Sequence, residues 1–265
     1  MKRLLTIAGS DSGGGAGIQA DLKTFHAFGC YGMSVLTAVT AQNTLGVHGI
    51  EELSPEFVAL QLECVVTDIG VDAAKIGMLS SADIIYTLSR KIASLSIPFL
   101  VVDPVMRAKK GDALLRKDAQ QALIEEIIPL AELVTPNIPE AEVLADMSIK
   151  TTDELKAAAL KICEKGARRV LIKGGHRKED ATDLFFDGVE FREFSADRIA
   201  TSNTHGTGCT YSAAIAACLG LGHSMNEAIS VAKKYITEAI RLNPGLGKGF
   251  GPLNHFSALS RIEKL

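Results

Sequence analysis

The sequence lacks paired cysteines. Its five cysteines are Cys30, Cys64, Cys163, Cys209 and Cys218, and no two of them form a C-x-x-C pair. Because disulfide frameworks and cysteine-based zinc sites need paired or clustered cysteines, the sequence supports neither. Free thiols are typical of a reducing compartment, so we expect a cytoplasmic protein.

A basic excess and a long apolar run are also missing. The chain has 28 Lys and Arg against 31 Asp and Glu, a net charge of -3, so no nucleic-acid partner is predicted. Short basic pairs such as Lys233-Lys234 are interpreted as solvated helix ends. The apolar run Leu4–Ala8 stops at Gly9, too soon for a signal peptide, and no segment has the length of a membrane span. These absences predict a soluble protein.

No linker, repeat or low-complexity segment divides the 265 residues, so residues 1–265 are expected to form one domain. Apolar β-type runs alternate with segments of helical periodicity, which predicts β-α-β units in a three-layer α/β/α fold with a mostly parallel sheet. The predicted strands are Leu4–Ala8, Tyr31–Thr40, Ala74–Met78, Phe99–Val102, Leu133–Thr135 and Val170–Lys173, with a hairpin around Asp187-Gly188. The predicted helices are Ala16–Phe28, Pro55–Val66, Ala82–Ala93, Ala119–Ile128, Glu140–Ala145, Asp153–Lys165, Thr210–Leu221 and Met225–Leu242.

Polar or glycine residues follow six successive strands. In parallel α/β sheets, ligands bind beyond the carboxyl ends of the strands. The residues at these ends therefore form the candidate site, although strand ends need turn residues in any case. They are Gly9 and Asp11, Gln42, Gly77-Met78, Asp103, Asn137, and Lys173-Gly174-Gly175.

A second glycine-rich segment, Asn203 to Thr210, runs directly into a helix of small and apolar residues. Glycines let several backbone N–H groups point at one place, and the start of a helix adds unpaired N–H groups and partial positive charge. Gly206, Thr207 and Gly208 are thus predicted to form an anion hole suited to a phosphate in transfer. An ordinary glycine-rich helix start is the alternative.

The familiar nucleotide motifs are absent. The sequence contains no G-x-x-x-x-G-K-[ST] loop, no G-x-G-x-x-G fingerprint, no H-E-x-x-H and no G-x-S-x-G. The glycine-rich turn Ser12–Gly17 after the first strand has the wrong spacing for a dinucleotide loop, and we expect it to form a flexible rim over the substrate.

Taken in order, the motifs resemble the hydroxymethylpyrimidine kinase branch of the ribokinase-like superfamily. Gly206-Thr207-Gly208-Cys209 resembles the superfamily's G-x-G-D signature with cysteine for aspartate, and Asn137-Ile138-Pro139-Glu140 resembles its N-x-x-E motif. The resemblance extends over nearly the whole chain, through Ala8–Lys23, Thr40–Thr44, Lys75–Leu79, Val102–Met106, Lys173-Gly174-Gly175-His176 and Gly251-Pro252.

The resemblance implies a kinase that uses ATP and Mg²⁺, and a homodimer. Phosphoryl transfer needs positioning and charge neutralisation more than covalent chemistry. Glu140 and Asp103 are the candidate magnesium ligands. Lys173 is expected at the nucleotide phosphates, together with Asn137 and Thr207. A glutamate in the first turn of a helix is also favoured by the helix dipole, without any metal.

The implied substrate is a pyrimidine that carries an amino group and a hydroxymethyl group, and Gln42 is the candidate specificity residue. A carboxamide can pair with an amino donor and a ring-nitrogen acceptor through two parallel hydrogen bonds. Met78 is expected against the ring, and Gly9, Asp11 and Asp21 complete the predicted substrate site.

Cys209 stands where the superfamily has a general base. A thiol at a helix start has a lowered pKa, which predicts a base once the thiol is deprotonated. If the acceptor is a phosphate, no base is needed, and a neutral thiol would avoid the repulsion that a carboxylate causes. Two alternatives stay open: a pyridoxal kinase, against which Gln42 argues, and a pyrimidine-binding protein without catalysis, against which the complete set of motifs argues.

Overall fold

One sheet of nine strands runs through the residues that the computed structural model describes, which are 1–95, 97–106, 115–175 and 181–256. Its order is β3-β2-β1-β4-β5-β6-β7-β8-β9, with parallel pairing from β2 to β7 and antiparallel pairing at both sides. The predicted, mostly parallel α/β sheet is confirmed. The strands are β1 (Arg3–Asp11), β2 (Tyr31–Asn43), β3 (Gly46–Glu52), β4 (Ala73–Ile76), β5 (Leu100–Val102), β6 (Leu133–Val134), β7 (Val170–Ile172), β8 (Asp183–Phe186) and β9 (Phe191–Phe194).

Successive residues of the central strands enter two different apolar cores. In β5, Leu100 and Val102 pack in one core and Val101 in the other. Side chains alternate between the faces of a strand, so both faces of the sheet are buried and the central strands are mostly apolar. Helices cover each face: α2 (Pro55–Asp68), α3 (Ala82–Ser94), α4 (Lys117–Ala122), α5 (Ile138–Ala145) and α6 (Thr152–Glu164) on one, and α1 (Gly17–Ala27), α7 (Thr207–Leu221) and α8 (Met225–Arg241) on the other.

Two local features differ from the sequence predictions. Strand β3 was not predicted, because most of its residues are exposed and its glycines interrupt any apolar alternation. It is held by antiparallel pairing to the end of β2. The predicted helix Ala119–Ile128 is α4 extended by a π-helical turn, Leu123–Ile127, and a 3₁₀ turn, Ile128–Leu130. The change of helix type precedes Pro129, which has no N–H to continue the α-helical ladder.

Helix α7 is buried on all sides and fixes the position of the candidate site. Every residue from Thr210 to Gly220 is buried, and the helix packs on β1, β4, β5, α1 and α8. A Cβ on Gly220 would lie 2.6 Å from Leu4 Cδ2, so a glycine is needed for this close approach to the sheet. The packing directs the start of α7 towards the carboxyl ends of the strands. None of the helices in the described ranges is both long enough and apolar enough to cross a bilayer.

The prediction that Lys233 and Lys234 are both solvated is wrong for Lys233. Its neighbour Lys234 is exposed, but Lys233 is buried in α8, 2.7 Å from Asp183 Oδ2. Tyr211 donates to the same oxygen at 2.9 Å, and Asp183 Oδ1 accepts the backbone N–H of Gly174. A buried charge requires such partners, and this network ties α7 and α8 to the turn that follows β7.

We predict that Lys233→Met lowers the free energy of unfolding by about 3–5 kcal/mol, because it leaves the buried Asp183 without its cation. The matched control is Lys234→Met, one residue along the same helix but exposed, which should change the value by no more than about 0.5 kcal/mol. Urea denaturation measures both. Equal losses in the two variants would contradict the structural role of the Lys233–Asp183 pair.

Candidate active site

The start of α7 has free backbone donors. Gly206 precedes the helix in a left-handed conformation, with φ 81°, and among the described residues no side chain caps this end. Ser54, Asn137, Thr151 and Ser224 cap the starts of α2, α5, α6 and α8, whereas α1, α3 and α4, like α7, show no side-chain cap among the described residues. The unpaired N–H groups of an uncapped helix start attract an anion. Thr207 uses its hydroxyl within the loop, donating to Thr204 O at 2.8 Å.

This helix start lies against the glycine-rich turn that follows β1. A Cβ on Gly206 would collide with the carbonyl oxygen of Gly15, and a Cβ on Gly15 would lie 2.5 Å from His205 Cδ2. Only glycines allow the two loops to approach so closely. The turn is held firmly: Asp11 accepts the backbone N–H groups of Gly13, Gly15 and Ala16 at 2.8–3.0 Å. The predicted flexible rim is therefore a fixed wall.

Asp103 and Lys173 form a buried ion pair below the helix start. Lys173 Nζ lies 2.6 Å from Asp103 Oδ1, with 13% and 2% of the two side chains exposed. A Cβ on Gly208 would lie 3.2 Å from Asp103 Oδ2 and 3.3 Å from Lys173 Nζ, so the pair faces the helix start directly. Burial opposes a charge on Lys173, but Asp103 and Glu140 together raise its pKa. The lysine is therefore a cation placed beside the predicted anion hole.

Asn137 and Glu140 form a capping box at the start of α5. The Asn137 side chain accepts the Glu140 N–H at 2.9 Å, and Glu140 Oε2 accepts the Asn137 N–H at 2.8 Å. A capping box alone therefore explains the N-x-x-E spacing without any metal. Glu140 nevertheless lies close enough to Asp103 and Lys173 for their charges to affect its pKa. Burial, the largest effect, and the charge of Asp103 raise the pKa of Glu140 to about 7, although Lys173 opposes the rise.

A second buried ion pair lies near Cys209. Lys75 Nζ is 3.0 Å from Asp21 Oδ2, and neither side chain has any exposed surface. Thr6 donates to the same oxygen at 2.6 Å, while Asp21 Oδ1 has no hydrogen-bond partner among the described residues. Burial opposes a charge on Lys75, but the carboxylates of Asp21 and Asp103 raise its pKa. Asp21 has no exposed surface in this structure, so its predicted direct contact with a substrate is not supported.

Cys209 is a protonated thiol at neutral pH. Burial, the largest effect, and the carboxylates of Asp21 and Asp103 raise its pKa to about 11, against the opposing influence of Lys75 and of the Gly17 N–H. The sequence predicted a lowered pKa from the helix start alone. That prediction is wrong, because the half-buried Cys209 is desolvated beside two acidic side chains. The raised pKa weakens the case for Cys209 as a base.

The remaining predicted residues line the other end of the site. Met78 lies over Gly9, where a Cβ would come 2.5 Å from Met78 Cε. Gln42 is half-buried near His205, with its Nε2 3.4 Å from His205 Nε2. Asp11 accepts from the same ring nitrogen at 2.8 Å. Both oxygens of Asp11 are occupied by the turn and His205, so Asp11 shapes the pocket and its predicted direct contact with a substrate is not supported.

Sequence reasoning gave no role to Lys75, His205 or Asp183. One signal was present: Lys75 interrupts the apolar strand Ala73–Ile76, and a lysine in a strand buried on both faces must be paired. His205 contacts Asp11, 194 residues away in the chain, and Asp183 contacts Gly174, nine residues away. Only the folded structure shows these contacts. His176, part of the quoted Lys173–His176 motif, lies outside the described residues.

Comparison with known proteins gives consistent matches over the chain. Residues 11–254 match the family model described as phosphomethylpyrimidine kinase. The chain is 49% identical over 257 residues to the hydroxymethylpyrimidine/phosphomethylpyrimidine kinase of Bacillus subtilis (strain 168), covering 96% of this chain and 95% of that protein. It is 53% identical over 261 residues to the thiamine biosynthesis bifunctional protein ThiED of Geobacter sulfurreducens, covering 98% of this chain but only 53% of that protein.

A solved structure shares the fold. The crystal structure of an ADP complex of Bacillus subtilis pyridoxal kinase has a TM-score of 0.90 and 41% identity, covering 98% of this chain and 99% of that chain. The fold and the site thus define a small-molecule phosphotransferase of the ribokinase-like class. Within that class, the chain belongs to the phosphomethylpyrimidine kinase family.

The turn after β7 offers a test of how the site is held. A Cβ on Gly174 would collide with the backbone of Thr182, whereas one on Gly175 would meet no described atom within 4 Å. We predict that Gly174→Ala lowers the free energy of unfolding by about 1–3 kcal/mol and that Gly175→Ala, the matched control, leaves it nearly unchanged. Chemical denaturation measures both, and a tolerated Gly174→Ala would show that this turn is not fixed.

Proposed function

We propose that this protein transfers the terminal phosphoryl group of ATP to the hydroxymethyl group of 4-amino-5-hydroxymethyl-2-methylpyrimidine, and then phosphorylates the resulting monophosphate to the diphosphate, in thiamine biosynthesis. The observation that carries the proposal is the contact between the uncapped start of α7 and the buried Asp103–Lys173 pair. That contact puts backbone donors and an ammonium group around one point. The name of the Bacillus subtilis relative supports the choice of acceptor.

The phosphate side of the reaction uses fixed charges. Phosphoryl transfer proceeds through a loose transition state whose charge is spread over the phosphoryl oxygens. The Thr207 N–H donates to Thr204 O, which leaves the N–H groups of Gly208 and Cys209 at the start of α7, with the ammonium of Lys173, to stabilise that charge. Their partners hold them in place before substrates bind, so little reorganisation is needed during the reaction.

Mg²⁺ is the proposed cation, and the donor set fits it. Asp103 and Glu140 offer two buried carboxylates; Lys173 engages Asp103 Oδ1, and the backbone N–H groups of Asn137 and Met106 donate to Glu140. Among the described residues no group of three His, Cys, Asp or Glu side chains is arranged for a metal. Mg²⁺ commonly binds through one or two carboxylates, with substrate phosphates and water completing its octahedron. Bound there, it would neutralise phosphate charge.

The pyrimidine side combines an apolar wall with one carboxamide. Met78 over Gly9 offers a flat apolar surface, and Gln42 offers the donor and acceptor that match an amino group beside a ring nitrogen. Losing both hydrogen bonds in a pocket should cost about 1–3 kcal/mol. Pyridoxal lacks that pair of groups. The likeness to a pyridoxal kinase keeps a pyridoxal kinase activity as the second candidate.

Cys209 suits two different acceptors. In the first step the acceptor is an alcohol, which needs little base assistance in a loose transition state. In the second step it is a phosphate that is already ionised. A neutral thiol at position 209 adds no negative charge beside Asp21 and Asp103, and a dianionic acceptor can therefore approach it.

The deciding experiment follows products by mass spectrometry. The purified protein is incubated with Mg-ATP and either the hydroxymethylpyrimidine or pyridoxal, with Lys173→Met as a control impaired in phosphoryl transfer. We expect stepwise mono- and diphosphorylation of the pyrimidine and little pyridoxal phosphate. Pyridoxal phosphate with no pyrimidine diphosphate would favour the second candidate, and no turnover of either would favour a binding protein without catalysis.

We predict that Cys209→Asp impairs the second step more than the first. The new carboxylate joins Asp21, Asp103 and Glu140 and repels the phosphate acceptor. Measured separately with purified alcohol and monophosphate, kcat/KM should fall about 10-fold further for the monophosphate, a difference of about 1.4 kcal/mol. Cys209→Ser, which adds no charge, is the matched control and should affect both steps similarly. Equal losses with Cys209→Asp would contradict this role of the thiol.

The proposed assembly is a homodimer of single-domain chains in the cytoplasm. Phe57 and Leu60, one turn apart on α2, are each 52% exposed, and apolar patches of this kind often mark interfaces. All five cysteines are free thiols, as suits a reducing compartment. Light scattering of the purified protein should give the mass of two chains.

A further inference from the structure

The ring of His205 connects Asp11 to Gln42. Its Nε2 lies 2.8 Å from Asp11 Oδ2 and 3.4 Å from Gln42 Nε2. The ring fits between the two loops only because residue 15 is glycine, where a Cβ would lie 2.5 Å from His205 Cδ2. Two groups from different chain segments, the Asp11 carboxylate and the Gln42 carboxamide, therefore meet at one imidazole nitrogen.

The protonation of that nitrogen is set by Asp11. Burial opposes a charge on Asp11, but hydrogen bonds from His205 and from the backbone N–H groups of Gly13 and Ala16 lower its pKa overall. Asp11 is therefore a carboxylate at neutral pH, and a carboxylate only accepts hydrogen bonds. His205 must therefore carry its proton on Nε2 and donate it to Asp11. A protonated ring nitrogen has no lone pair to accept an N–H of Gln42, so only the carboxamide oxygen, as a second and weaker acceptor of the same proton, suits this side.

Thr40 sets the other side of the carboxamide. Its Oγ1 lies 2.8 Å from the carbonyl oxygen of Ser10 and 3.2 Å from Gln42 Oε1. A hydroxyl has one proton, and the carbonyl of Ser10 can only accept it. Towards Gln42, Thr40 is therefore an acceptor, and the carboxamide nitrogen belongs on this side.

Both neighbours thus require the same orientation, with the carboxamide nitrogen towards Thr40 and its oxygen towards His205. The contacts given above have the oxygen of Gln42 near Thr40 and its nitrogen near His205. A 180° rotation about the Cγ–Cδ bond of Gln42 exchanges this oxygen and nitrogen and gives the required orientation. In this orientation the Gln42 nitrogen keeps one free N–H and its oxygen keeps one free lone pair. The positions of this donor and this acceptor in the pocket are therefore fixed. A substrate edge with the matching order can bind in one way only.

We propose that His205 is a positioning residue for substrate specificity: together with Asp11 it fixes the direction of the Gln42 carboxamide, and through it the way a flat ring bearing an amino donor beside a nitrogen acceptor lies in the pocket. The inference rests on the proposed contact between Gln42 and the pyrimidine. Without His205 only Thr40 favours this orientation, so the reversed carboxamide, which presents a donor to a donor, becomes more populated.

A double-mutant cycle tests this inference. The variants are His205→Phe, which keeps a ring but loses the N–H, Gln42→Ala, and the two combined. His205→Asn, too short to reach Gln42, replaces His205→Phe in the same cycle if that variant does not fold. The measured quantities are kcat and KM for the hydroxymethylpyrimidine, together with the KM for ATP as a control for the nearby start of α7.

The expected result is non-additive. His205→Phe alone should lower kcat/KM for the pyrimidine about 10-fold, mainly through KM, with the KM for ATP changed less than about 2-fold. In the Gln42→Ala background the same change should have almost no further effect. A full additional loss in that background would overturn the inference, because His205 would then act without Gln42.

The proposed function and this inference fail in different ways. If Gln42→Ala leaves kcat/KM for the pyrimidine unchanged, the proposed contact is absent and the inference falls with it, while the kinase activity stands. If the wild-type protein does not phosphorylate the pyrimidine, the proposed function itself is wrong.

Discussion

Opposite charges buried together beside the ends of the strands hold this site in its form. Asp103 with Lys173 and Asp21 with Lys75 are two such pairs; Lys75 lies within β4, and Lys173 directly follows β7. Removing a charge from water is costly, so each pair tolerates burial only while its partner stays within hydrogen-bond distance. The two apolar cores on either side of the sheet keep the strands, and therefore the pairs, in register.

The same charges decide the chemistry of position 209. The start of a helix and a nearby lysine would ordinarily favour a thiolate, but burial and two carboxylates favour the thiol. The cationic groups at the site are thus directed at an incoming phosphate and are not used to ionise the cysteine. Glycines complete the arrangement, since Gly206 against Gly15 and Gly208 against Asp103 leave backbone where side chains would fill the space.

The sequence predicted the architecture well because its signals are local. A sheet buried on both faces gives continuous apolar strands, and each strand of the parallel part ended close to the predicted residue. Strand β3 escaped prediction because it is exposed and held by pairing alone. The sequence predicted which residues form the site, but not which residues they contact. The hydrogen bonds that occupy Asp11, the burial of Asp21 and the contact between His205 and Gln42 all depend on how separate segments pack together. The predicted direction of the Cys209 pKa shift was wrong for the same reason, because desolvation depends on which residues pack around the thiol.

The charge balance of the site therefore depends on Cys209 being neutral in the folded protein. The most direct measurement is the rate at which Cys209 reacts with iodoacetamide between pH 6 and pH 11, read from its own peptide by mass spectrometry, with the exposed Cys64 as an internal reference. Because the thiolate is the form that reacts, a pKa of about 11 predicts that the alkylation rate of Cys209 still rises above pH 9 and reaches no plateau there. A plateau reached near or below neutral pH would show a thiolate in the resting site and would contradict the account.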